Sequence, residues 1–362
     1  MNPMKRRSGY RGVAQSLRVA ARGSEPAGAG KRVDSAKERN RPAKLERKLV
    51  KYEALPEYLQ DNEFIRDYYR CEWPLKDLLL SVFSLHNETL NVWTHLGGAL
   101  IFVALTAMSF TEKSSPENLF AAGVFRLERM KRNKSESIYP DHNYHQRNLI
   151  DSSITDNVNF PMWPWFIFLG GATCCLVLSS VSHLFACHSR RCNLLLWRLD
   201  QSGISLMVVA SFVAPIYYIF DCHPFSRVFY FASITLLGTL AAVSLLSPAL
   251  TSGRFRSFKA AVFLALGLSG IVPAAHTALL YGHHPQVAAA LWCEMAMGAL
   301  YAAGAAFYVT RFPERMGPGK FDLVGSSHQI FHVLVVAAAL AHCVATLVLM
   351  DWRRGLPHCG GA

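Results

Sequence analysis

Ser327-His328-Gln329-Ile330-Phe331-His332-Val333-Leu334-Val335-Val336-Ala337-Ala338-Ala339-Leu340-Ala341-His342 opens the last long apolar run of the chain with two histidines four residues apart. On a helix that spacing puts both imidazoles on one face. Aliphatic and small residues dominate from there to Met350, so the two histidines stand at the mouth of a segment long enough to cross a bilayer. A fold that brings a third histidine to them would complete a metal-ligand set.

Working outward, six more apolar runs precede this one, at about 89–110, 161–187, 200–220, 226–248, 258–280 and 286–310, and the last covers 327–350. Each is close to the roughly 20 residues that span the hydrocarbon core, and none shows the polar face at helical period that a soluble helix would carry. The reading is an all-α protein, a seven-transmembrane helical bundle over residues 89–350. Pro215 and Pro273 fall inside the third and fifth spans and are expected to kink them. Composition agrees: 51% of the residues are hydrophobic, 17% charged, and mean hydropathy is +0.18.

The formal net charge of +12 would suit a nucleic-acid partner if it were spread over a soluble domain. Much of it is crowded into the first fifty residues, which argues against nucleic acid and for a disordered basic cytoplasmic arm over 1–54. An Arg-rich, acid-poor start also fits a transit peptide, while the absence of an apolar core there speaks against a secretory signal. Between arm and bundle, Leu55–Arg70 carries a Pro near its start, early acids and later arginines. These are signals for a short helix with a stripe of Leu59, Phe64, Ile65, Tyr68 and Tyr69, so 55–88 is read as an amphipathic, juxtamembrane helical region, a soluble linker helix being the alternative. Nine cysteines show no metal-finger spacing; Cys222 and Cys359 could meet on one face.

Orientation follows from the short loops. Arg190, Arg191 and Arg198 follow the second span, Arg254, Arg256 and Lys259 the fourth, and Arg311, Arg315 and Lys320 the sixth, whereas the other side carries Arg227 alone. The N-terminus is therefore expected in the cytoplasm and the C-terminus, with a short tail over 351–362, outside. The polar loop 111–160 mixes Arg126 and Arg129 with Glu112 and Glu117, and long loops cross largely regardless of charge.

In that topology the second span ends at the cytoplasmic face with Ser179 and His183, the third begins there with Asp200, and the seventh begins there with His328 and His332. Polar groups gathered within a membrane are by default a functional hypothesis. Three neutral imidazoles with one open position form a catalytic zinc arrangement. His183, His328 and His332 are read as metal ligands for Zn2+, Asp200 as the group that hydrogen-bonds the water or takes its proton, and Ser179 as a holder of water or substrate. A packed helix face bearing hydrogen-bonded histidines is the competing reading, and His95, His276 and His342 are read as structural. Glu88 could pair with Arg70 or Lys76. There is no His-Glu-x-x-His of a soluble metalloprotease, and no inverted repeat or series of charges through the spans to suggest a transporter.

Ser84-Leu85-His86-Asn87-Glu88-Thr89-Leu90-Asn91-Val92-Trp93-Thr94-His95, Cys187-His188-Ser189 with Leu199-Asp200-Gln201-Ser202-Gly203-Ile204, and Pro313-Glu314-Arg315 with Pro318-Gly319-Lys320-Phe321-Asp322 before Ser327-His328-Gln329-Ile330-Phe331-His332 together resemble the progestin and adiponectin receptor family. The likeness runs from about Leu55 to Gly355 apart from the loop after the first span, whose length resembles the plant heptahelical branch. It implies seven helices with a cytoplasmic N-terminus, zinc on His183, His328 and His332, Asp200 and Ser179 beside the zinc-bound water, and hydrolysis of a ceramide-like lipid amide coupled to signalling. Ligand recognition does not carry over, and adiponectin is not the expected ligand.

Two functions remain open on sequence alone. One is an intramembrane, ceramidase-like zinc hydrolase acting on membrane lipids. The other is a non-catalytic receptor in which zinc only staples helices while the arm and loops recruit a cytoplasmic signalling partner. The expected location is the plasma membrane, with the endoplasmic reticulum as the alternative.

Overall fold

The computed structural model describes residues 48–111, 160–247, 253–356 and 359. The basic arm, apart from its last residues, and nearly all of the loop after the first span lie outside the described residues. A short helix α1 (Leu75–Leu80) leads to α2 (Thr89–Thr111), α3 (Trp163–Phe185), α4 (Arg190–Ile219), α5 (Pro224–Leu246), α6 (Arg256–Leu268), α7 (Ile271–Tyr281), α8 (Pro285–Thr310) and α9 (Ser327–Arg354). Taking α6 and α7 as one broken helix, seven candidate membrane spans are present among the described residues, and no named strand. The break falls at Ser269–Gly270, just ahead of Pro273, whereas Pro215 is carried inside α4.

Neighbours in sequence are neighbours in space. The chain runs α2, α3, α4, α5, α6–α7, α8, α9, and α9 packs back on α2 and also touches α4. Two apolar cores fill the bundle. One gathers Phe102, Trp165, Phe168, Met207 and Val335, and the other, nearer the C-terminal end of α9, gathers Phe220, Ile234, Val287, Leu349 and Trp352. Large aliphatic and aromatic side chains elsewhere face outward, including Leu100, Phe229, Leu240, Leu279 and Trp292. That is costly in water and ordinary in lipid.

The expected helix over Leu55–Arg70 does not form. Two single turns, Tyr52–Ala54 and Glu57–Leu59, give way to an irregular strap. Its backbone donors are committed elsewhere: Val50 and Tyr69 pair with each other, and the amides of Arg66 and Asp67 donate to the two Asp322 carboxylate oxygens at 3.0 and 2.9 Å. The Gly319 amide, in a left-handed turn at φ +81°, donates to the Phe64 carbonyl. Helical capping signals lost to an acceptor supplied more than 250 residues away, and only α1 answers the expectation of a juxtamembrane helix. At the other end, α9 continues past Met350 to Arg354, so the tail begins later than read. Cys222 and Cys359 are joined by a disulfide, and Arg353 pairs with Asp221 beside it.

Candidate metal centre

Two helices deliver the three histidines. His183 occupies the last turn of α3, and His328 and His332 the first two turns of α9. The start of α9 is fixed tightly. Gly325 turns at φ +84°, Ser326 and Gln329 form a capping box, and the buried Glu314 carboxylate accepts the Ser327 amide at 2.7 Å as well as the Ser327 hydroxyl. A carboxylate at a helix N-terminus also complements the helix dipole. Glu314 belongs to the segment between α8 and α9, so that segment sets the rotation of α9 and hence the direction of both imidazoles.

His183 and His332 are 3% and 2% exposed, and the ligand atoms of the three rings lie within 4.8 Å of one another. His328 Nε2 stands 3.2 Å from His183 Nε2 and 3.2 Å from His332 Nε2. Tetrahedral zinc with bonds of about 2.05 Å would hold its nitrogens roughly 3.3 Å apart. The outer nitrogens are engaged. His183 Nδ1 donates to Glu88 Oε2 at 2.8 Å, and His332 Nδ1 donates to the Asn91 carbonyl at 3.2 Å. Both rings then turn an unprotonated Nε2 inward. Two lone pairs facing a third imidazole can share only one proton between them, whereas a cation satisfies all three, so the residues fit a metal.

The orienting groups come from the entrance of α2. Glu88, Asn91, Thr94 and His95 recur at helical spacing and turn one face toward the histidines. Asn91 Nδ2 donates to Glu88 at 2.5 Å, Thr94 Oγ1 lies 3.3 Å from His332 Nδ1, and the His95 ring stacks on His332 with centroids 3.6 Å apart. Burial opposes ionisation of Glu88, but its interaction with His183 and the hydrogen bond from Asn91 outweigh it and hold the carboxyl below the usual carboxylate range. The pairing of Glu88 with Arg70 or Lys76 is thereby corrected: Arg70 is spent on Ser81 Oγ and on the carbonyls of His183 and Leu184, which anchor the end of α3. The signal for Glu88 was its place one turn before Asn91 at a span entrance, but nothing in the chain says which histidine it meets.

Asp200 and Ser179 line the same cavity as the three histidines. Asp200 is not part of the metal-reach group, which among the described residues holds the three histidines alone. The cavity is about 1340 Å³, polar near Asp61, His183 and Asp200 and mainly apolar where it passes Phe212, Met295 and Leu349. His276 bonds to the Tyr230 hydroxyl, away from this cluster, and His188 Nδ1 to the Trp73 carbonyl.

Residues 83–343 match the haemolysin-III-related family. The chain is 51% identical over 325 residues to heptahelical transmembrane protein 3 of Arabidopsis thaliana, covering 88% of this chain and 92% of that one. It is 43% identical over 321 residues to heptahelical transmembrane protein ADIPOR1 of Oryza sativa subsp. japonica, covering 84% and 85%. It is also 35% identical over 297 residues to the adiponectin receptor protein of Drosophila melanogaster, covering 82% of this chain and 58% of that one.

Proposed function

The chain belongs to the haemolysin-III-related family of multi-pass membrane proteins, and on that premise we propose that it is a zinc-dependent hydrolase of lipid amides of the ceramide type, coupled to signalling. The observation that carries this reading is a set of three inward-facing imidazoles lining a large, mainly apolar cavity that also holds Asp200 and Ser179. A structural zinc takes four protein ligands and a catalytic one keeps a position open. His183, His328 and His332 would hold the zinc, which supplies Lewis acidity and brings the pKa of water to about 7.

The protein's own residues do the rest. Glu88 and the Asn91 carbonyl keep His183 and His332 in the tautomer that binds metal. Asp200, with Ser179 beside it on the cavity wall, receives a proton from the attacking water and returns it to the amine leaving group. The apolar walls take the acyl chain and exclude bulk water from the amide. The Cys222–Cys359 disulfide supports the orientation read from the basic loops, because it sits at the bundle end opposite the histidines and belongs in an oxidising compartment. The histidine end would then face the cytoplasm and its signalling partners, in the plasma membrane by preference over the endoplasmic reticulum.

The test is zinc content per purified chain, followed by lipid-amide hydrolysis on the same samples. Near one zinc is expected in the native protein and little in His183→Ala, His328→Ala or His332→Ala. Asp200→Asn should keep the zinc and lose about 10²-fold or more in rate. Full hydrolysis by zinc-free His332→Ala would overturn the enzyme reading, and zinc without hydrolysis of any lipid amide would favour a receptor stapled by its metal.

A further inference from the structure

Lys259 reads as a loop charge in the sequence, whereas the structure carries it one turn into α6, three residues after Arg256 and on the same face. Arg256 has its partners there: it donates to Asp61 Oδ2 at 2.5 Å and to the Tyr308 carbonyl at 3.2 Å, and it lies over the Tyr308 ring. Lys259 is 6% exposed, and among the described residues no acceptor comes within hydrogen-bond or ion-pair distance of its ammonium. The acids whose charges act on it are Asp61, which Arg256 already holds, and Asp200. The adjacent Phe258 is 47% exposed on the outer surface, so the lysine is turned inward and does not snorkel along the membrane interface.

An ammonium taken out of water without a counter-charge is expensive, and an ionisable group inside a span marks a ligand or ion path. Lys259 lines the cavity that holds the three histidines. The Nε of Arg256 is sealed off without a partner, but the Lys259 ammonium is not among the sealed atoms and keeps surface open to the cavity. Its place is the polar end: Asp61 is acted on by both Arg256 and His328, which sets the start of α6 beside the start of α9. The apolar wall past Phe212, Met295 and Leu349 leads away from there. An anion meeting Lys259 therefore belongs near the amide and not at the far end of an acyl chain. In a lipid amide of the ceramide type the carbonyl is uncharged, and the head-group hydroxyl becomes an anion as its phosphate ester. A lysine, a compact point charge with three donors, suits that group.

We propose that Lys259 forms a head-group subsite that makes lipid amides with a phosphorylated head group the preferred ligands of this cavity. The ammonium donates to a phosphate oxygen, and a neutral head group is bound less tightly because it leaves the buried cation without a counter-charge. This rests on the reading of the cavity as a lipid-amide site, and it names the head group that site prefers.

The experiment is equilibrium binding of ceramide 1-phosphate, ceramide and octadecanoic acid, each as a mole fraction of the bilayer, to the full-length zinc-loaded protein in phosphatidylcholine nanodiscs, native and with Lys259→Met or Lys259→Arg. The native protein should bind ceramide 1-phosphate about tenfold more tightly than ceramide, the discrimination expected of one hydrogen bond between buried charges. Lys259→Met, which keeps the alkyl stem, should bind the two within twofold of each other and leave ceramide binding unchanged; Lys259→Arg, which keeps the charge, should retain more than a threefold preference. Equal binding of the two ceramides by the native protein overturns the subsite and leaves the lipid-amide cavity standing. A tenfold preference that survives in Lys259→Met also overturns it, since the discrimination would then come from elsewhere. Octadecanoic acid binding as tightly as ceramide 1-phosphate, and weakened equally by Lys259→Met, gives the lysine to a free carboxylate and overturns the phosphate assignment. If neither ceramide binds, the lipid-amide reading falls and the subsite with it.

Discussion

Glu88→Ala probes the metal centre without touching a ligand. The carboxylate accepts two hydrogen bonds on one oxygen, from His183 Nδ1 at 2.8 Å and from Asn91 at 2.5 Å. Removing it leaves the Nδ1–H of a side chain that is almost fully buried without a partner and frees the ring to swap tautomers or rotate. Groups that orient metal-bound histidines are worth about 10- to 100-fold in affinity, or roughly 1.4 to 2.7 kcal/mol. Zinc affinity, measured by competition with a chelator of known strength, should fall by that factor, while Glu88→Gln, which can still accept from His183, should fall by less than tenfold. His183→Ala sets the floor. If Glu88→Ala binds zinc within twofold of the native protein while His183→Ala loses it, the carboxylate does not act through His183 and the assignment of its role is wrong.

His86 gives a pH-dependent stability. Burial, helped by Arg70, pushes its pKa down to about 4, and its Nδ1 accepts the Glu88 amide while Nε2 meets the Ser81 carbonyl. The unfolded chain takes up a proton near pH 6.5 and the folded one does not, so stability is full above pH 6.5 and declines as pH falls toward 4, by about 3 kcal/mol; thermal midpoints of His86→Asn should show a shallower decline over that window. Glu314→Ala strips the acceptor from the Ser327 amide and hydroxyl, with an expected loss of about 1.5–3 kcal/mol and reduced zinc retention, because His328 is the next residue. Gly171→Ala would place a Cβ 2.4 Å from Ala210 Cβ across the α3–α4 contact and should cost about 1–3 kcal/mol; Gly97→Ala, which meets nothing within 4 Å, is the neutral control for the same thermal assay.

The seven spans were legible in the sequence because an apolar run of bilayer length has few alternatives, and their bounds moved by only a few residues except in the third, which begins ten residues earlier, at Arg190, with its polar first turns. The histidine set was legible too. His328 and His332 share a helix face by spacing alone, and the alternation of up and down spans returns His183 to the same end of the bundle. What local pattern could not supply was anything governed by a partner far along the chain. The strap over residues 55–70 read as a helix because its start and stop signals are local, whereas Asp322 and Val50, which claim its backbone donors, are not. Glu88 read as a partner for Arg70 or Lys76 because the nearby charge pattern says nothing of the His183 ring 95 residues on.

Hydrophobic length and the i, i+4 rule thus determined the number of helices and the His328–His332 face. The tertiary structure decided which nitrogen each histidine turns inward, which carboxylate orients it, and that Lys259 lines the cavity. Those depend on rotations and depths of helices about their own axes, set by packing contacts between segments that the one-dimensional pattern keeps apart.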